Sequence, residues 1–213
     1  MLIRTFSITL LSALILIGCK ESVTNKNLET QTEDSVTHST KDQRPFQKML
    51  SSQKISYEVS AMGSGSIQQL IVQPTGLTEI NDKITLEIDG QVINAEIADL
   101  NSDGYPELLV YTTSAGSGSY GNVIGFSPNN GKSLSQIYFP NVADNSKANS
   151  GYMGHDEFGV VDNTLVQKFP IYKKGDINSN PRGGIRQIQY KLKDGEASRK
   201  FVLDKIVELS NKE

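Results

Sequence analysis

The chain is poor in the residues that most often carry chemistry: 213 residues contain one cysteine and two histidines, and 21 Lys or Arg nearly balance 24 Asp or Glu, for a formal charge of -3. Each scarcity closes off a class of function. A single cysteine allows no internal disulfide. Two histidines, His38 and His155, leave too few soft ligands for zinc. The near-neutral, slightly acidic balance offers no surface for nucleic acid. The apolar run Phe6–Ile17 stops short of the about 20 residues that a membrane-spanning helix needs. Long stretches of helical periodicity are missing too. Stability must come from packing of another kind.

That apolar run has its own meaning. It follows Arg4 and ends at Leu16-Ile17-Gly18-Cys19, which resembles the lipobox of bacterial lipoproteins, where a signal peptide is cut before a diacylated cysteine. The resemblance implies a signal peptide over residues 1–18 and a mature chain held on a membrane through lipidated Cys19. More than one acyl chain makes such anchoring stable. The alternative, an ordinary signal peptide with a chance cysteine, would leave an unpaired thiol in an oxidising compartment. Lys20, in place of an aspartate, points by the same resemblance to the periplasmic face of the outer membrane rather than the inner. Residues 20 to about 45 are almost all polar and cannot bury enough surface to offset their ordering entropy. Residues 19–50 are therefore assigned to the lipidated cysteine and a flexible tether, and 51–213 to one β-rich domain. His38 lies in the tether and is assigned no chemistry.

Beyond the tether the apolar period becomes two. Ile84, Leu86 and Ile88 alternate with charged or hydroxyl neighbours, Asp89-Gly90 follows, and Ile93, Ala95 and Ile97 alternate again. This pattern predicts two strands joined as a hairpin. Ile188, Tyr190 and Leu192, then Asp194-Gly195, then the apolar run Phe201–Leu209 predict a second. Further strands are expected at Ile55–Val59, Ile67–Val72, Glu107–Thr112, Asn122–Phe126, Gln136–Phe139 and Thr164–Ile171. One or two short helices fit Asn141–Ser150 or Pro45–Ser52. The fold class is all-β and mainly antiparallel, a β-sandwich or flattened barrel.

Three loops could carry chemistry. Ser114–Gly121 contains Gly116-x-Gly118-x-x-Gly121, which by letter matches a dinucleotide fingerprint. That fingerprint needs a helix after its glycines, and Asn122–Phe126 reads as a strand. A serine hydrolase is disfavoured as well, because Ser119 lacks a glycine two residues before it and only His155 could serve as base. Two readings remain: a hairpin loop whose glycines permit tight turns, or a binding finger of Ser117, Gly118, Ser119 and Tyr120, in which the tyrosine supplies area and a polar tip at low entropic cost. The second loop, Asp99-x-Asn101-x-Asp103-Gly104-x-x-Glu107, resembles a calcium loop with oxygens at positions one, three and five. Position twelve is Val110, and the same residues also suit an Asx-turn network without metal. Asp99, Asn101, Asp103 and Glu107 are the calcium candidates of a second functional reading, a calcium-binding surface or adhesion module; otherwise no cofactor is expected. The third loop, Gly151–Phe158, places His155 beside Asp156, too close in sequence for one to orient the other, and reads as a structural loop locked by Tyr152 and Phe158. Arg182 stands in a turn-rich segment without an assigned role.

Asp99–Glu107 followed by Ser114–Gly121 resembles the periplasmic inhibitors of invertebrate-type (I-type) lysozyme. Gly151–Phe158, Lys168–Tyr172 and Gly183–Leu192 do as well, so the resemblance runs from about residue 53 to 209. It implies an antiparallel β-fold, no enzymatic activity, I-type lysozyme as partner, and entry of the Ser117–Tyr120 loop into the lysozyme cleft, with Ser117 and Tyr120 as key residues. The lipobox departs from a family that is typically soluble in the periplasm. An exposed strand edge would in addition support a homodimer.

Overall fold

The computed structural model describes residues 46–52 and 55–210; the expected signal peptide, Cys19, the expected tether up to residue 45 and His38 lie outside the described residues. Three four-stranded antiparallel meanders make up the described fold. The first contains β1 (Phe46–Ser52), β2 (Ile55–Met62), β3 (Ile67–Thr75) and β4 (Ile84–Asp89), in that order. The second contains β5 (Gln91–Ala98), β6 (Glu107–Thr113), β7 (Gly121–Pro128) and β8 (Leu134–Ile137). The third, in the order β12-β11-β10-β9, contains β9 (Glu157–Val161), β10 (Thr164–Pro170), β11 (Ile185–Lys193) and β12 (Lys200–Leu209). One short 3-10 helix, Val142–Asp144, falls in the connection before β9.

The second sheet is the middle of a three-layer sandwich, and β6 shows why. Its residues Glu107 to Thr112 are buried without interruption, because strand side chains alternate between faces and both faces here are covered. Leu108 and Val110 join Tyr57, Val59, Leu70, Val72 and Ile88 in one core. Leu109 and Tyr111 join Leu165, Phe169, Ile188, Tyr190 and Phe201 in the other. The expected sandwich is thus present with an additional layer, and the sheets do not close into a barrel.

Several local expectations are corrected. Asp89-Gly90 is not a hairpin turn: β4 pairs with β3 and β5 pairs with β6. The two strands lie in facing sheets and send Leu86, Ile88, Val92 and Ala95 into the same core, so alternation alone could not distinguish pairing from facing. Gly90 makes the corner at φ +100°, its amide donating to Ser66 O at 2.5 Å. The second Asp-Gly lies within a longer connection, since β11 and β12 pair only from Lys193 and Lys200. Pro45–Ser52, a helix candidate, contains β1 instead, paired along β2 from Phe46 to Ser52; the folded part begins ahead of residue 51. The strand expected at Gln136–Phe139 ends at Ile137, and Tyr138 leaves the sheet to bridge Lys200. Tyr138 N donates to Arg199 O at 3.0 Å and Phe201 N to Tyr138 O at 2.8 Å, which stitches the middle sheet to the third.

Candidate functional site

β6 and β7 pair up to Thr113 and Gly121, so residues 114–120 stand out as a finger from their shared end. Ser114 closes its base twice: its amide donates to Tyr120 O at 2.8 Å, and its hydroxyl accepts from Tyr120 N at 2.9 Å. Ser119 N donates to Gly116 O at 3.0 Å, with Ser119 at φ +43°. Ser117 and Tyr120 are exposed, while Gly118 and Ser119 are half-buried. The Tyr120 ring lies against Gly118, where a Cβ would come within 2.5 Å of it, so a side chain there would push the ring aside. Beside the finger runs a cleft of about 640 Å³ between Tyr120, Asn122, Phe139, Asn141 and Tyr152.

The finger rests on the chain that follows β8. Asp156 Oδ2 accepts from Gly121 N at 2.8 Å and from the Tyr152 hydroxyl at 2.7 Å. Its Oδ1 accepts from Gln167 Nε2 at 2.7 Å, and Gln167 Oε1 accepts from the Tyr190 hydroxyl at 2.6 Å. Tyr152 then meets Tyr120 edge-on, ring centres 5.7 Å apart. Burial pushes the Asp156 carboxyl up, against the hydrogen bonds from Gly121, Gln167 and Tyr152 that pull it down. Burial first, and Asp156 second, push the Tyr152 hydroxyl up, which keeps it a neutral donor. Nearer the tip, His155 N donates to Gly118 O at 2.7 Å, and Asn178 Nδ2 donates to Ser117 O at 2.8 Å. Gly154 makes this approach feasible: at φ +85° it is buried, and a Cβ would stand 2.1 Å from Gly118 O. Gly154→Ala is expected to cost about 1–3 kcal/mol through backbone strain alone, visible as a lower urea midpoint, and to displace the finger.

The expected third loop therefore supports the first, with Tyr152 and Phe158 half-buried. His155 Nε2 bonds Asn178 Oδ1 at 2.9 Å, not a serine. Arg182 pairs with Asp176, whose carboxylate also accepts from the amides of Lys173 at 2.7 Å and Arg182 at 2.9 Å. The Lys173 amide above all, with Arg182, holds the Asp176 carboxyl down to about 2. Sequence reasoning missed Asn178, Gln167 and the bonding role of Asp156. Asn178 sits 61 residues from Ser117, and no local pattern links them.

The Asp99–Glu107 loop is engaged by its own amides and by one guanidinium. Asp99 Oδ1 accepts from Asp103 N at 3.0 Å and Oδ2 from Gly104 N at 2.9 Å; Asn101 Oδ1 accepts from Asp103 N at 3.0 Å. Glu107 is fully buried and accepts from Leu100 N at 2.9 Å, the Ser127 hydroxyl at 2.8 Å and Arg199 Nη1 at 3.1 Å. Arg199 also reaches Asp103 Oδ2 at 3.0 Å and the Ser127 hydroxyl. These bonds form an Asx-turn network, and Arg199 pairs with two of its carboxylates. Among the described residues no group of three His, Cys, Asp or Glu is placed to hold a metal ion.

These carboxyls give folding two opposed responses to pH. The Asp176 contribution is present above about pH 4 and is lost as the pH falls toward about 2. Glu107 and Asp156 are both pushed up, chiefly by burial. Their contribution is complete below about pH 4 and is lost as the pH rises through their folded values. From these three groups the urea midpoint is expected to climb between about pH 2 and 4 and to decline above it. Asp176→Asn is expected to flatten the acid limb.

A family model described as periplasmic lysozyme inhibitor of I-type lysozyme matches residues 43–150. The match takes in β1–β8 and the finger; the resembling motifs beyond residue 150 lie outside it. A search of curated proteins finds no match. Matched over half its length, through the first two sheets and the whole finger, this chain belongs to the family of periplasmic lysozyme inhibitors of I-type lysozyme.

Proposed function

We propose that the chain blocks I-type lysozyme by lodging the Ser117–Tyr120 finger in the enzyme's active-site cleft. The observation that carries this reading is a narrow, internally bonded loop that exposes Ser117 toward its tip and Tyr120 at its base. Glycosidases of this kind work with two carboxyl groups flanking the scissile bond. Hydroxyl donors aimed at such groups contribute about 1.5–3 kcal/mol each, and a finger without a glycosidic bond occupies the cleft without turning over. Inhibition by occupation requires no catalytic residue or cofactor in this chain.

Ser117→Ala tests the reading: the inhibition constant is expected to rise about 10-fold, with an unchanged melting temperature because Ser117 is exposed. An unchanged constant removes this hydroxyl from the mechanism. We also propose that Cys19 carries lipid and holds the inhibitor at the periplasmic face of the outer membrane, near the peptidoglycan it protects. The lipobox supports this. Labelling with a fatty-acid analogue is expected to mark the wild-type chain and not Cys19→Ala; equal labelling of both contradicts it.

A further inference from the structure

Two successive carbonyls of the finger, those of Ser117 and Gly118, are held from outside the loop, and their holders are bonded to each other. Because Ser117 offers a carbonyl, the amide end of Asn178 must face it, which leaves Oδ1 to accept from His155 Nε2–H. Tyr172 steadies this latch, its hydroxyl donating to Asn178 O at 2.8 Å and its ring standing 6.2 Å from that of His155. His155 itself sits at φ +59°, the left-handed conformation that brings its own amide to Gly118 O.

In a trans peptide the N–H points opposite to the C=O. Drawing the Ser117 carbonyl toward Asn178 therefore turns the Gly118 N–H away from the latch. The next amide, of Ser119, is already bonded to Gly116 O. The Gly118 amide has no acceptor among the described residues. Its neighbours in the finger are the exposed Ser117 and, against the Gly118 Cα, the Tyr120 ring.

We propose that Asn178 and His155 are positioning residues that set the Gly118 N–H outward as a third donor of the finger, beside the hydroxyls of Ser117 and Tyr120, for a carboxylate of the target enzyme. The proposal rests on the inhibitory reading of the finger. It also extends the inhibitory site to a part of the chain beyond residue 150, where the family match ends.

The test is amide hydrogen exchange by NMR on the folded domain, free and saturated with I-type lysozyme, together with inhibition constants. In the free protein the Gly118 amide is expected to exchange without protection, and in the complex at least about 10-fold more slowly. Asn178→Ala is expected to raise the inhibition constant about 10-fold at an unchanged melting temperature, and to remove the protection of Gly118 in the complex. His155→Asn, which tolerates the left-handed conformation and keeps the backbone amide, is expected to give a smaller rise and serves as the second variant. If the wild type inhibits but Gly118 exchanges equally fast in the complex, or Asn178→Ala inhibits like wild type, the inference is overturned and the roles of Ser117 and Tyr120 stand. If the wild type does not inhibit, the reading of the finger falls and this inference falls with it.

Discussion

Arg199→Ala is expected to lower folding stability by about 3–5 kcal/mol, the range for breaking a buried ion pair from one side. The guanidinium is four-fifths covered and the Glu107 side chain fully so, at 3.1 Å. Removing Arg199 leaves a carboxylate inside the sandwich with only the Leu100 amide and the Ser127 hydroxyl as donors. The same side chain reaches Asp103 at 3.0 Å. Arg199 leads into β12 of the third sheet, whereas Glu107 and Ser127 belong to the middle one, so the loss also loosens the joint between layers. Arg199 lowers the Glu107 pKa. Without it the carboxyl protonates more readily, and the deficit is expected to shrink as the pH is lowered. Urea midpoints of the two proteins at pH 7 and pH 5 check both statements. A difference below about 1 kcal/mol at pH 7, the level of a surface pair, contradicts this account of the loop.

Tyr120→Ala is expected to raise the inhibition constant by about 10- to 100-fold, the range of an aromatic hot spot. The side chain is 48 % exposed, so little core packing is lost, although its edge-on contact with Tyr152 and its cover over Gly118 disappear. Tyr120→Phe separates the parts of the effect. If the hydroxyl meets a carboxylate, its removal alone is worth about 1.5–3 kcal/mol, or at least about 10-fold in inhibition. Equal inhibition by Phe and Tyr variants would assign the effect to the ring alone.

The fold was legible where side chains alternate between core and solvent, and less so where alternation has two structural meanings. β2, β3, β6, β7, β10 and β11 lie close to their expected ranges because each buries a set of apolar residues the sequence displays. Asp89-Gly90 misled because a corner between facing sheets and a hairpin turn impose the same apolar pattern on their flanks. β1 was hidden by weak alternation and by Pro45 at its start; its even-numbered residues, from Phe46 to Ser52, are only half-buried. At the site, the finger could be read from its glycines and its tyrosine. Its supports could not, because Asp156, Gln167 and Asn178 act across 35 to 61 residues or through a neighbouring strand. Asp99–Glu107 reads from its letters as a cation loop or an Asx-turn network, and no local pattern points to its partner Arg199, 92 residues beyond Glu107.

Hydrolysis of bacterial walls by I-type, chicken-type and goose-type lysozymes, each titrated with the folded domain begun after Cys19, decides whether the finger inhibits. Selective inhibition of the I-type enzyme is expected, lost in step with Ser117→Ala and Tyr120→Ala. A folded domain that leaves the I-type enzyme fully active contradicts it.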